Sequence, residues 1–546
     1  MKRYEMIVIG AGPAGLSCAI EAKKTGMDVA VFDENARPGG QLFKQIHKFF
    51  GSKEHHAKER GFRIGEDLLK EAEEAGVHVH LNSTVMGVFE EKEVLVNMEG
   101  DHVNHYKADN IMIATGAAEN MIPFKGWNKP GVIGAGAAQA LMNLQGVMPG
   151  KKILMVGSGN VGLVVSFQLL QAGCEVSAIV DAAPRIGGYG VHASKLARTG
   201  VPFYTRHTVI EALGKDKVEG AVIAEVDDRF QPIPGTEFTL DVDTICIAVG
   251  LSPMSQLCQT AGCDMEFNPR KGGNVPLTDE FGETSVKGVY ACGDVAGIEE
   301  ASSAMLLGRI SGTHAAMFAG YIDQEDFDVR VKAYHASLAQ LRDGMFAPQN
   351  KGRNDWTETD EGYAISRSLL EKGYVSDEEM KAFLAANAKV SGIHPVIECT
   401  QNIPCDPCQD ACKFGCIKVG SHIVKLPVVD AEVSCTGCGM CVAQCSGQAI
   451  FLVDETYEPG FATVGLPYEF YPLPEKGHIG KALDRSGSEV CAAEVVSLKS
   501  IKKMDKTVLL TMKVPVEYAS TARFFKAQGV DRYGENNQNR SNQELC

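Results

Sequence analysis

Nine of the chain's 17 cysteines lie between Cys399 and Cys445, at spacings that suit iron-sulfur clusters. The second block, Cys435, Cys438, Cys441 and Cys445, has two, two and three intervening residues. Such a run lets three thiolates on a tight loop each hold one iron of a cube, while the fourth points towards a neighbouring cluster. Gly437 and Gly439 let that loop curl. The first block is irregular. Aligning Cys412-Lys413-Phe414-Gly415-Cys416-Ile417 on Cys445-Ser446-Gly447-Gln448-Ala449-Ile450 matches Cys412 to Cys445, Cys408 to Cys441 and Cys405 to Cys438. Asn402 then stands where Cys435 predicts a thiol, and Cys399, three residues upstream, supplies the ligand through a longer loop. The expected sets are Cys399, Cys405, Cys408 and Cys445 for one [4Fe-4S] cluster, and Cys435, Cys438, Cys441 and Cys412 for the other. Cys416 is left over, at the position of Ala449, and reads as small packing.

This pattern resembles the two-cluster bacterial ferredoxins, with Ser446 in place of the usual proline. Paired Cys-x2-Cys motifs also serve structural zinc, but two zinc sites would need four ligands each and wider separation between pairs. Disulfides are disfavoured, because the chain starts on a strand at Met6 without a charged region, apolar stretch and cleavage site. The expected location is the cytoplasm.

Clusters need an electron source, and the N-terminal half carries two elements able to hold one. Met6 to Ile9 is a short apolar strand, followed by Gly10-Ala11-Gly12-Pro13-Ala14-Gly15 and a helix-like stretch ending at Gly26. The second strand ends at Asp33, 18 residues beyond Gly15. In this order the glycines admit a pyrophosphate to a helix N-terminus and the acid accepts hydrogen bonds from a ribose. The same order recurs 147 residues later, with Gly157, Gly159, Gly162 and Asp181. Asp181 would bond a ribose diol and repel a 2'-phosphate, favouring NAD over NADP. A duplicated fold can also keep its glycines for packing alone, so occupation of the second site is left open.

At 546 residues the chain exceeds one core, and roughly 150 residues per domain suggests three or four. A net charge of -16 argues against nucleic-acid binding, and no apolar run is long enough to span a membrane.

Three further segments, Ala114-Thr115-Gly116, Gly250 to Pro253, and Gly288 to Asp294, join Gly39-Gly40-Gln41 in a family resemblance. Across residues 1 to about 325 the chain resembles the flavoprotein disulfide reductase superfamily. The resemblance implies FAD on the first fingerprint, a nicotinamide nucleotide on the second, and Asp294, after Gly293, bonded to the flavin ribityl chain. Glu299 to Gly308 would then begin a helix facing the flavin. Disulfide reductases carry a redox cysteine pair, but neither Phe32 to Lys58 nor Gly131 to Pro149 contains a cysteine, so dithiol chemistry is not expected. Cys174, Cys246, Cys258, Cys263 and Cys292 read as inert buried residues.

The GGQL and HKFFGS stretch and the run from Gly293 to Gly312 most resemble the large flavoprotein subunit of amine and amino-acid dehydrogenases acting on proline, hydroxyproline, opines or glycine. That resemblance implies two partners, a second flavoprotein subunit with a small iron-sulfur subunit beside it. Within Gln41 to Gly51, His47 or Lys48 could transfer protons or touch flavin, or the segment could be a surface helix with a solvated basic side.

The expected fold class is α/β: two Rossmann-like FAD- and NAD(P)-binding domains, a C-terminal 2[4Fe-4S] ferredoxin-like domain and a small β unit. The expected divisions are 1–120 and 246–325 for FAD, 121–245 for NAD, and 326–395 for a helical linker packing the cluster module against the flavin domain. Clusters take 396–458, the β unit 459–530, and a disordered tail 531–546. The function expected is that of a subunit that transfers electrons. The alternatives are a self-sufficient NADH-dependent reductase or diaphorase, as in the small subunit of glutamate synthase, and a non-catalytic electron conduit.

Overall fold

The computed structural model describes residues 1–351, 366–385 and 392–528. The chain forms two compact units, Met1–Glu119 with Gly250–Arg353, and Asn120–Val249 with Asn354–Cys546.

The first unit is built on a parallel sheet in the spatial order His78–His80, Val29–Phe32, Lys2–Ile9, His102–Ile113 and Val289–Ala291, with an antiparallel hairpin, Ser83–Phe89 and Glu93–Met98, along the fourth strand. Along Lys2–Ile9 the side chains alternate: Met6 and Val8 enter the core beneath the helices, and Ile7 and Ile9 enter a second core on the opposite face. Both faces are covered, which is why these strands read as continuous apolar runs. The helices Pro13–Lys24 and Ala301–Phe318 approach closely, because a Cβ on Gly308 would stand 2.2 Å from the Ala14 carbonyl oxygen and one on Gly312 2.5 Å from that of Cys18.

In the second unit a parallel sheet runs Phe203–Thr205, Glu175–Asp181, Lys152–Val156, Thr244–Ile247 and Val132–Gly134. Beside it, seven antiparallel strands run in the order His394–Ile397, Ile450–Glu458, Phe461–Tyr468, Val508–Pro515, Glu489–Lys499, Ile479–Leu483 and Phe524–Ala527. One hydrophobic core joins the two sheets, from Ile153, Leu163 and Phe167 to Val464, Tyr468 and Phe525. The helix Asn160–Gln171 is buried almost all round; Phe167 meets the edge of Phe470 at 5.3 Å, and Gln171 donates to Glu469 Oε2 at 3.0 Å.

Two expectations need correction. The C-terminal β structure is not a separate unit beginning at 459, because Ile450–Glu458 pairs with Phe461–Tyr468 and the strand His394–Ile397 pairs with Ile450–Glu458. The loops carrying the cysteines emerge from the edge of this sheet. Nor is 326–395 a single linker. Gln324–Leu341 belongs to the first unit, packed on Ala301–Phe318. Arg367–Lys372 belongs to the second, where the Leu370 carbonyl accepts from Ile186 N–H at 2.7 Å. The segments 352–365 and 386–391, and the tail from 529, lie outside the described residues.

Candidate functional site

Of the three glycines in the first fingerprint, only one has room for a side chain. Gly10 has φ +102°, and a Cβ there would meet the Ala114 carbonyl oxygen at 2.4 Å; a Cβ on Gly15 would meet that of Gly10 at 2.0 Å. A Cβ on Gly12 meets nothing within 4 Å, which leaves a cradle at the N-terminus of Pro13–Lys24, where the helix's first amides have no carbonyl to bond. Asp33 braces this turn: Oδ2 accepts from Ala11 N–H at 2.7 Å, and Oδ1 from the Asn35 backbone at 2.8 Å. Gly39 N–H donates to Ala11 O at 2.7 Å, and Gly40 is held against Gly12. Gly293 abuts Ala14 from the other side, so Asp294 arrives at the same corner. Thr115 Oγ1 donates to Met254 O at 2.7 Å and ties the Ala114-Thr115-Gly116 turn to the segment after Gly250. These residues therefore gather around one cradle whose open volume, acid and helix dipole fit an adenine dinucleotide. Gln41 is exposed at its rim.

Burial pushes the Asp294 carboxyl up to about 6, opposed by the Glu299 N–H. Glu299 and Glu300 precede the helix Ala301–Phe318, and Arg342 holds Glu299 through paired bonds of 2.9 and 2.7 Å. A carboxyl raised above its unfolded value costs stability once it must ionise. In protein stripped of flavin, Asp294→Asn is therefore expected to be more stable than the parent above about pH 6, by about 3 kcal/mol for a shift from 3.8 to about 6. The advantage should vanish as pH falls towards 3.8, the ordinary value of an aspartate in the unfolded chain. Urea unfolding at both ends of that window checks it, and equal midpoints throughout would refute it.

The surface-helix reading of Gln41 to Gly51 is corrected. Only Gly40–Lys44 forms a short 3-10 turn; the chain then extends, with Lys48 bridged to Arg60 and buried at 5% exposure, and His47 stacked on Phe49 at 5.4 Å. Sequence reasoning passed over His55, which is buried between Ser52 Oγ at 2.8 Å and Ser337 Oγ at 2.9 Å. Its backbone carbonyl accepts from Ser302 Oγ, at the start of Ala301–Phe318.

The second fingerprint repeats the first. Gly157 and Gly162 are closed by the Ala248 and Gly157 carbonyls, while Gly159 faces open space. Asp181 Oδ2 accepts from Ser158 N–H at 2.7 Å, and Oδ1 from Ala183 N–H at 2.8 Å. Gly188 N–H donates to Ser158 O at 2.9 Å, much as Gly39 does to Ala11. A shared spacing, Asp33 to Gly39-Gly40 and Asp181 to Gly187-Gly188, is the sequence signal of this second brace.

The cluster cysteines fall into two neighbourhoods. Cys412, Cys435, Cys438 and Cys441 line one pocket, while Cys399 and Cys408 lie within electrostatic reach of Cys445, and Cys408 of Cys441 as well. Cys405 is tied to Ile423 through its backbone N–H. Backbone amides face the sulfurs: Ala449 N–H to Cys445 Sγ at 3.4 Å, Gly437 N–H to Cys435 Sγ at 3.4 Å, and Cys416 N–H to Cys412 Sγ at 3.2 Å. Such donors favour thiolate over thiol and suit metal-bound sulfur. A small pocket is lined by Cys412, Cys435, Cys438 and Cys441, with Cys416 in its wall. Among the described residues no three His, Cys, Asp or Glu side chains converge on a position for a single metal ion. Burial pushes the Cys399 thiol up to about 12 and that of Cys416 up to about 11. Cys174, Cys246, Cys258, Cys263 and Cys292 are buried. No helix among the described residues is long and apolar enough to cross a membrane.

Two dinucleotide folds, each open at its middle glycine, define an FAD-dependent oxidoreductase. The chain belongs to the pyridine nucleotide-disulphide oxidoreductase family, which matches residues 4–320. It is 28% identical over 367 residues to the A component of the opine oxidase of Rhizobium meliloti, covering 62% of this chain and 68% of that one. With hydrogen cyanide synthase subunit HcnB of Pseudomonas aeruginosa it shares 27% identity over 323 residues, 56% of this chain and 69% of that one. Among solved structures it is similar to the L-proline dehydrogenase of P. horikoshii, at 22% identity and a TM-score of 0.48, covering 62% of this chain and 59% of that one.

Proposed function

We propose that this chain is the electron-transferring flavoprotein subunit of a multi-subunit amine or amino-acid dehydrogenase, working with a second flavoprotein subunit, plus a small iron-sulfur subunit. Its cofactors are FAD, two [4Fe-4S] clusters and NAD(H). What supports the reading is the setting of the thiols: Cys412 of the first block lines one pocket with Cys435, Cys438 and Cys441 of the second. Exchange of the fourth ligand between blocks is what a two-cluster fold requires and what two separate zinc knuckles would not need. FAD accepts electrons as hydride and releases them singly, while each cluster carries one. The chain's own part is to hold the pyrophosphate at the Gly12 cradle and the ribityl chain at Asp294, and to offer amides to the cluster sulfurs.

The experiment is an anaerobic titration of the purified chain with NADH, following flavin bleaching and the cluster signals by electron paramagnetic resonance. Stoichiometric reduction of flavin and then clusters supports an NAD-linked subunit. Reduction by dithionite but not by NADH would make the second fold structural and leave electron delivery to a partner. Gly159 lies at φ -69° and ψ 173°, where alanine is allowed, and a Cβ there meets no protein atom. Gly159→Ala should therefore abolish reduction by NADH while leaving dithionite reduction and thermal stability unchanged; undiminished NADH reduction would place the nicotinamide nucleotide elsewhere.

A further inference from the structure

The helix Gly190–Ala197 leaves the second dinucleotide fold and is set directly on the cluster segment. Gly190 N–H donates to Gln401 Oε1 at 2.6 Å, and a Cβ on Gly447 would meet Val191 at 2.7 Å. Arg198, the residue that closes this helix, is only 5% exposed, with its guanidinium 5.4 Å from the centre of the Phe451 ring. Arg523 lies on the same ring at 5.1 Å.

The charges here do not balance. Glu398 is claimed by Arg485 at 2.6 Å and Arg523 at 2.5 Å, and Arg485 also reaches Asp377 at 2.6 Å. Arg198 forms no ion pair among the described residues, and the carboxylate within its electrostatic reach is the same Glu398 that Arg485 and Arg523 already hold. Three buried guanidinium groups therefore face one buried carboxylate and the half-exposed Asp377. An uncompensated buried charge costs several kcal/mol, so a fold that keeps one implies an anion that the protein itself does not supply. Glu398 immediately precedes Cys399, and Arg198 shares the Phe451 ring with Arg523, so the surplus stands against the segment that carries Cys399. A cube bound by four thiolates is such an anion, and one-electron reduction adds another negative charge to it.

We infer that Arg198 is the counter-charge of the cluster held by Cys399, Cys405, Cys408 and Cys445, and that it sets this cluster's potential above that of its neighbour. The inference rests on the two-cluster reading above. Burial alone would make the inner cluster harder to reduce, and a cation fixed beside the Cys399 segment reverses that. The surroundings of the other cluster differ: its thiols line the pocket, Lys499 bonds the Cys438 carbonyl from an exposed position, and Asp430 sits beside Cys416. The electron shared by the pair thus rests on the cluster against Gly190–Ala197, and the cluster at the pocket exchanges electrons with a carrier outside. Arg198 is a positioning residue for charge and touches no substrate.

The test is a redox titration of the complete flavin- and cluster-loaded protein, read by electron paramagnetic resonance, for the parent, Arg198→Gln and Arg198→Lys. In Arg198→Gln one of the two cluster transitions should move to more negative potential, with the other transition and the iron and flavin contents unchanged. Arg198→Lys should stay close to the parent. An unmoved potential in Arg198→Gln, an equal shift of both transitions, loss of iron from that variant, or an equal shift in Arg198→Lys would each overturn the inference. A parent with fewer than two clusters would overturn the two-cluster reading itself, a result distinct from all of these.

Discussion

On the proposed two-cluster reading, Cys438→Ser is expected to keep its flavin and to lose one of two cluster signals. Cys438 lines one pocket with Cys412, Cys435 and Cys441, so a serine there would remove one of the four thiolates proposed to hold a single cube. The hydroxyl is a poor iron ligand at neutral pH, and iron content should fall to about half if the cubes bind independently. The first unit, with the Gly12 cradle, shares no residue with this pocket, so the flavin band should persist at the parent's ratio to protein. Iron analysis, low-temperature electron paramagnetic resonance and the visible spectrum measure the three quantities. Loss of flavin together with the cluster would contradict the division of labour, and unchanged iron would remove Cys438 from the ligand set.

The second large effect separates two glycines of one fingerprint. Gly12 lies at φ -78° and ψ -177°, where any residue is allowed, and its added Cβ finds only open space. Gly12→Ala should fold with a stability within about 0.5 kcal/mol of the parent and be purified without FAD, because the methyl group occupies room the pyrophosphate needs. Gly15→Ala fails differently. Its Cβ would stand 2.0 Å from the Gly10 carbonyl oxygen and 3.1 Å from Val8, so the strand and helix must part. Roughly 1–3 kcal/mol or more of stability should go with it. Thermal denaturation and the flavin-to-protein ratio tell the two apart, and Gly12→Ala retaining full FAD would mean that the dinucleotide does not lie across this turn.

Much of this was legible because local geometry dictates it. Gly10 and Gly15 answer to contacts within a single turn, and Asp33 and Asp181 to the strand ends that carry them. The proposed pairing of Cys412 with the second block rests on alignment, and the pocket these residues share is in keeping with it. What the sequence concealed depends on distant partners. The strand His394–Ile397 lies more than 50 residues from its partner Ile450–Glu458, and nothing in either names the other. Arg198, Glu398, Arg485 and Arg523 meet from four remote segments, each reading alone as an ordinary surface charge. Two signals in the sequence carry more than their first reading. The helix Asn160–Gln171 is apolar round most of its circumference, the mark of a helix with little solvent face. Gly308 and Gly312, four residues apart, announce a helix that lets another backbone come close.

The placement of the cysteine loops has a bearing on how this protein could be divided or recombined. Ile450–Glu458 pairs on one side with His394–Ile397 and on the other with Phe461–Tyr468, so a fragment cut at Glu458 would bare a ladder of unsatisfied backbone groups along Leu452 to Asp454. Such an edge invites pairing with another copy and then aggregation. The excised piece would also forfeit the Val464 and Leu466 side of its core. The portable unit is therefore the sheet with its loops, seated on the second dinucleotide fold. Shuffling of electron carriers between proteins of this build would be expected to move all of that unit at once.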